Sequence, residues 1–165
     1  MIAASLGTAG VDLVDFTWPT VELPAAAAWM LSACSVEDGR EDVEFMFDDP
    51  ALIEGANAAW WNFADTGGLF DEDDCFLVSV GPVDGDPSAG PHWARVRLRS
   101  EWDVIGRGVD WGVLGGPSGR PGFVMMALDE RVVVGATTWN GFISVMRLKN
   151  PALAGPIRRA MGLRD

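Results

Sequence analysis

Apolar residues recur along this chain at two spacings. Between residues 52 and 64, Leu52, Ile53, Ala56, Trp60, Phe63 and Ala64 return every three or four positions, the spacing of one face of a helix. Asp48 or Asp49 can cap its start, Pro50 suits the first helical position, and Gly67 suits the position after the last turn. Trp61 points about 100° round from Trp60, at the edge of the apolar stripe or outside it. From residue 75 the spacing becomes that of strands. CFLVSV (75–80) is a short apolar run. The segment 93–104 alternates, with Ala94, Val96, Leu98, Trp102 and Val104 on one face. Trp93, Arg95, Arg97, Arg99, Glu101 and Asp103 share the other. FVMMAL (123–128) is apolar on both faces and reads as a central strand. Asp129-Glu130 turns the chain into RVVVGA (131–136), and FISVMRL (142–148) follows Gly141. A last helix is expected from Asn150 as cap and Pro151 at its first position to Gly162, with Arg158 and Arg159 complementing the dipole in its last turn.

Ahead of these, residues 11–23 read as an extended strand broken near Pro19. Pro24 opens a short helix through AAAAWMLSACS, and VEFMF (43–47) reads as a buried strand after an acidic loop. GPVDGDPSAGP (81–91) is too rich in Pro and Gly for regular structure. The whole predicts one α+β domain over residues 1–165: early helices, a mostly antiparallel sheet of about five strands and one C-terminal helix.

Composition narrows the chemistry. The 165 residues include one histidine, two cysteines and no tyrosine. A single imidazole, His92, excludes sites that need two, and Cys34 and Cys75 match neither a disulfide scaffold nor a metal knuckle. Residues 1–10 lack the basic start of a secretory signal, and no stretch approaches the ~20 apolar residues that span a bilayer. The expected setting is a reducing cytoplasm with both cysteines as thiols.

Charge adds the most. The net charge is −12, yet residues 1–91 hold eighteen acidic side chains and one basic, net −17, and residues 92–165 hold six acidic and eleven basic, net +5. Such a split marks either a partner-facing surface or two halves that neutralise each other within the fold. The overall sign disfavours nucleic acid, which needs exposed cations.

Three stretches carry candidate chemistry. Arg95, Arg97 and Arg99 recur at the strand period beside Trp93, about 6.6 Å apart. Guanidinium groups with an aromatic neighbour suit an anionic or planar ligand, or else pair with acids across the sheet. The run Asp71, Glu72, Asp73 and Asp74 fails the calcium-loop pattern, because Phe76 and Pro82 stand where a glycine and a glutamate are required, so no metal is expected. A solvated loop, or a contact for a basic partner, fits it better. The glycine-rich stretch 112–122 lacks both GxGxxG and a GK[ST] ending, and reads as a hairpin connection with Arg120 at its tip. Ser118 is not in a GxSxG setting, and a Cys–His pair would need Cys34 or Cys75 to reach His92. Asp48, Asp49, Asp103 and Asp110 adjoin apolar sequence that would raise their pKa values for acid/base work.

Residues 123–161 resemble the closing strand–strand–helix part of the phospholipase D superfamily, with GATTW at 135–139 where that family carries a GSxN-like element. The family's HxK pair has no counterpart, as Pro121 and Phe123 fall near those positions, so the resemblance implies a catalytically inactive, regulatory version.

These features favour a small acidic, non-catalytic binding protein of accessory, regulatory or immunity type. Its acidic N-terminal half, with Asp71 to Asp74, would engage a basic protein partner, and no cofactor is expected. The alternative is a cofactor-independent enzyme or ligand sensor whose pocket takes a hydrophobic or anionic small molecule. Its lining would come from Trp61, Trp93, Arg95, Arg97, Arg99, Trp102 and Trp111. A homodimer is compatible with either.

Overall fold

The computed structural model describes residues 1–16, 21–81, 87–107, 113–116 and 119–164. Among them are four helices, α1 (Ile2–Thr8), α2 (Ala25–Ala28), α3 (Leu52–Gly67) and α4 (Gly155–Ala160). Seven strands accompany them: β1 (Val11–Asp15), β2 (Arg40–Met46), β3 (Cys75–Val80), β4 (His92–Leu98), β5 (Gly122–Met126), β6 (Val132–Trp139) and β7 (Phe142–Lys149). All seven join one antiparallel sheet in the order β1-β4-β3-β5-β6-β7-β2. The fold is α+β.

The sheet is buried on both faces, which explains why its middle strands lack a polar side. One face presents Phe76, Val78, Phe123, Met125, Val134 and Val145 to Leu6 of α1 and to Trp60, Phe63 and Ala64 of α3. The other presents Leu77, Val124, Met126, Val133 and Leu148 to Leu23, Ala28, Leu31 and Ile157. Two long-range contacts fix the covering segments. The carboxylate of Glu130, a turn residue with φ 60°, accepts the backbone N–H groups of Glu22 and Leu23 at 3.1 and 2.7 Å. Trp29 Nε1 donates to Ser79 Oγ of β3 at 2.9 Å.

Under the first face lies Arg147, whose side chain is only 9% exposed. Its Nε and Nη2 donate to Glu41 at 2.8 and 2.7 Å, its Nη1 donates to Thr66 Oγ1 at 2.7 Å, and its guanidinium lies 4.8 Å from the centre of the Phe63 ring. This one side chain ties the end of α3 to the β2–β7 edge.

The structure corrects several expectations. The sheet has seven strands rather than about five: the two early segments read as strands, 11–23 and 43–47, join it as its edges at Val11–Asp15 and Arg40–Met46, and the second is largely exposed rather than buried. Edge strands keep one solvated side, so their sequences look less like sheet than the middle ones. The alternating strand ends at Leu98, not at residue 104: Arg99 N–H and Asp103 N–H donate to Gly10 and Ala9 carbonyls at 2.9 Å each, turning the chain over the first face. Ile53 lies outside the stripe, 50% exposed. Ala51 occupies the position before α3, Asp49 accepts from Ala51 N–H ahead of it, and Gly68 rather than Gly67 adopts the left-handed φ of 77°. The segments at 24–35 and 150–162 are each part 3-10 turn, at Trp29–Ala33 and Pro151–Leu153. Pro156 accounts for the second break, since it has no N–H to extend a helix begun at Pro151. Helix α1 was not anticipated.

Candidate functional site

The site grows from two neighbours on α3. Trp60 is fully buried, and Trp61, one position on, is 39% exposed. The loop after β4 returns Trp102 to the same place, where it meets Trp60 edge-on at 5.0 Å and stacks on Trp61 at 5.6 Å and 20°. Phe70 closes the group, 5.5 Å from Trp61 and 5.6 Å from Phe76.

A polar bracket holds Trp102 there. Asn57 of α3 donates from Nδ2 to Asp103 Oδ1 at 2.7 Å and accepts from Ile105 N–H at 3.1 Å, while Gly106 N–H donates to the same Asp103 oxygen at 2.7 Å. Burial works to raise the Asp103 carboxyl, but these bonds and the nearby Arg107 charge hold it below its ordinary value. The expectation of a raised acid at Asp103 is therefore overturned. Gly10 must be glycine: its φ is 80°, and a Cβ there would stand 2.1 Å from the Glu101 carbonyl oxygen.

Beside the indoles sits the acidic loop. The Asp71 carboxylate accepts from Asp73 and Cys75 N–H at 2.9 and 2.8 Å, folding the run into a turn in which Asp74 takes φ 57°. Two bonds lock that turn to the end of β4: Leu98 N–H to the Asp74 carbonyl at 3.0 Å and Arg97 Nε to the Asp73 carbonyl at 3.1 Å. Glu72, Asp73 and Asp74 remain exposed. Their carboxylates accept no hydrogen bond and form no ion pair with the described residues.

Between loop and indoles lies a cleft of about 240 Å³ lined by Trp61, Asp74, Leu98, Arg99, Ser100 and Trp102. It shares Arg99, Ser100 and Trp102 with a broader hollow of about 670 Å³ that also touches Gly7, Thr8, Gly10, Glu101, Asp103 and Arg107. Arg99 is already engaged. Its Nε donates to Asp12 Oδ1 at 2.9 Å, its Nη2 reaches the same oxygen, and its Nη1 donates to the Gly7 carbonyl at 3.3 Å. The Arg99–Asp12 hydrogen bond, with the Arg99 and Arg97 charges, holds Asp12 below its usual carboxyl value against the opposing effect of burial.

The predicted ligand row therefore divides. Trp61, Arg99 and Trp102 meet in the cleft together with Asp74, and Arg97 lies against the neighbouring loop. Trp93 is buried on the opposite face of the sheet, where its Nε1 donates to the Leu23 carbonyl at 2.7 Å, and Arg95 is half-buried opposite Asp15 of β1. Arg99 takes the cross-sheet pairing offered as one of two readings of the stripe. Of the candidates, Trp111, Asp110 and Ser118 lie outside the described residues.

Cys75 does not meet the histidine: on β3, Cys75 opposes Arg97 and Val80 opposes His92, about 16 Å apart along the strand, while the Cys34 thiol donates to the Met30 carbonyl at 3.3 Å. Cys34 is buried, and desolvation pushes its thiol up to about 11. Asp48 and Asp49 are exposed. Arg120 lies over the Phe47 ring at 3.7 Å. Among the described residues there is no group of three His, Cys, Asp or Glu side chains placed to hold a metal, and no helix is long and apolar enough to cross a membrane.

The sequence pointed to Trp61, Trp102, Arg99 and Asp74 but not to Asn57, Phe70 or Gly10. Asn57 carries a faint signal, a half-buried polar residue one position from Ala56, beside the apolar stripe of α3. No protein-family model, curated protein or solved structure matches the chain, so the resemblance to the phospholipase D superfamily gains no support.

Proposed function

We propose that this chain is a binding protein that engages a basic protein partner through its acidic N-terminal half, with the Asp71–Asp74 loop and the Trp61–Trp102 pair at the centre of the contact. The observation that carries this reading is the pairing of a loop ordered by the Asp71 carboxylate, in which those of Glu72, Asp73 and Asp74 have no partner among the described residues, with an indole stack whose Trp61 is exposed. Aromatic anchors that are already ordered lose little entropy on binding, and surrounding charge sets partner choice and association rate. Internal neutralisation takes up part of the acidic excess, through Asp12–Arg99 and Glu41–Arg147. Glu37, Glu44, Glu54, Glu72, Asp73 and Asp74 stay exposed to solvent.

Retention of proteins from an extract of the source cells on the immobilised chain tests this, at about 50 and 500 mM salt. Screening lengths of roughly 14 and 4 Å at those strengths separate long-range from contact electrostatics. A basic protein held at low salt, released at high salt and lost from the triple variant E72Q/D73N/D74N is the expected result. Retention that ignores both salt and the variant overturns the reading.

The cleft also favours one alternative. A small ligand sensor would use the same Trp61, Trp102 and Arg99 lining, and native mass spectrometry showing a bound species of a few hundred daltons would move the assignment to it.

A further inference from the structure

We propose that the cleft between Trp61, Trp102 and Asp74 seats an arginine side chain of the basic partner, its guanidinium lying against the indoles and donating to the Asp74 carboxylate. This rests on the reading above and adds the chemistry that recognises the partner.

Three observations lead to it. The first is the balance of spent and unspent hydrogen-bonding groups in the cleft. Its resident cation, Arg99, has committed three of its five N–H groups to Asp12 and the Gly7 carbonyl, and the Asp12 charge neutralises it. The carboxylate of its resident anion, Asp74, accepts nothing from the described residues. The uncompensated charge in the cleft is therefore negative, so the missing group is a cationic donor. A carboxylate or phosphate ligand would find an already neutralised guanidinium and an adjacent bare carboxylate.

The second is the wall. Trp61, 39% exposed, and Trp102 both line the cleft, and indole is the aromatic surface that attracts cations best. A planar guanidinium can stack on such a surface and still present N–H donors at its edge. A lysine ammonium, compact and strongly hydrated, does the first poorly. The third is the surroundings. Glu72 and Asp73 are exposed beside Asp74 in the loop, and Glu101 is exposed beside Trp102 in the adjoining hollow; with Asp74 these four carboxylates outnumber the cations Arg97 and Arg107 there, so the local field favours a cation.

The test uses the whole chain and three capped tripeptides: tri-arginine, tri-lysine and the neutral tri-citrulline. Indole N–H resonances of Trp61 and Trp102, assigned with W61F and W102F, are followed by NMR during titration. Saturable shifts of both resonances with tri-arginine are expected, with affinity about fivefold above tri-lysine and no saturation with tri-citrulline. D74N, a change at an exposed position, is expected to weaken tri-arginine binding about fivefold without altering the unfolding midpoint. Equal affinities for arginine and lysine peptides, shifts that bypass both indoles, or an unchanged affinity in D74N overturn the assignment. That failure is distinguishable from failure of the basic-partner reading, which is judged by salt-sensitive retention of the partner and its loss from E72Q/D73N/D74N.

Discussion

Removing the Asn57 side chain tests whether the cleft is held open from behind. Asn57→Ala deletes the bond to Asp103 at 2.7 Å and the bond from Ile105 N–H at 3.1 Å, and Ile105 is 2% exposed. A hydrogen bond to a charged group is worth about 1.5–3 kcal/mol, and the lower end applies here because Asp103 is only half-buried. The neutral bond contributes about 1 kcal/mol, and a buried N–H without an acceptor costs about another 1 kcal/mol. Alanine returns roughly 0.6 kcal/mol in helix propensity. The expected loss is about 2–3 kcal/mol in urea unfolding at pH 7, with the slope against denaturant unchanged. The pH dependence has a defined sign. The Asp103 carboxyl is held below its ordinary 3.8, so its stabilisation is present above that value and disappears as pH falls through the folded-state value. Asn57→Ala should therefore flatten the fall in stability below about pH 4. Asn57→Asp sets a carboxylate against Asp103 and should cost more than alanine at pH 7, the gap closing on acidification. A loss under about 0.5 kcal/mol for Asn57→Ala, or an unaltered acid slope, refutes the bracket.

Three further outcomes follow from the same geometry. Arg147→Ala should cost about 3 kcal/mol in the same unfolding assay, at the low end for a buried pair because Glu41 is half exposed, and Arg147→Met should recover about 1 kcal/mol through its stem; equal effects would mean the stem contributes nothing. Gly10→Ala should cost at least about 2 kcal/mol and shift the Trp102 indole resonance, since the new Cβ meets the backbone of Glu101 and Trp102. Cys34 and Cys75 are both buried and the Cys34 thiol is pushed up to about 11, so a disulfide-exchange reagent at pH 8 should find neither until denaturant is added; rapid labelling of the native chain would contradict this.

What the sequence made legible followed from how strongly each pattern was constrained. The α3 stripe and the middle strands were readable because burial on one or two faces leaves an unmistakable spacing at Ala56, Trp60, Phe63 and along 123–136. The edge strands were recognised but with the wrong bounds, 11–23 and 43–47, because β1 and β2 carry Asp12, Asp15, Glu41, Asp42 and Glu44 on strands with an open side, where burial leaves no sharp ends. Alternation past Leu98 misled for a different reason. Trp102 and Val104 are apolar because they pack down onto α3 and the sheet from a loop, and that packing happens to continue the period of two. The site was half visible. Exposed tryptophans beside arginines and acids could be picked out by type, but their meeting depends on the turn through Gly10 and the Asn57 bracket, contacts between segments 46 or more residues apart. Trp93 shows the limit of reading by type: on the same strand face as Arg95 and Arg97, it is covered by the segment around Leu23 and serves the core.

The most direct test of the central claim is site-specific photo-crosslinking in the source cells, with a benzophenone amino acid at Glu72 and, as a control, at Leu153, an exposed position on the C-terminal side. The account predicts one basic protein joined to the chain from Glu72, absent from Leu153 and lost when Asp73 and Asp74 are also neutralised. Crosslinks from Leu153 alone, or an acidic protein captured at Glu72 regardless of the neighbouring charges, would contradict it.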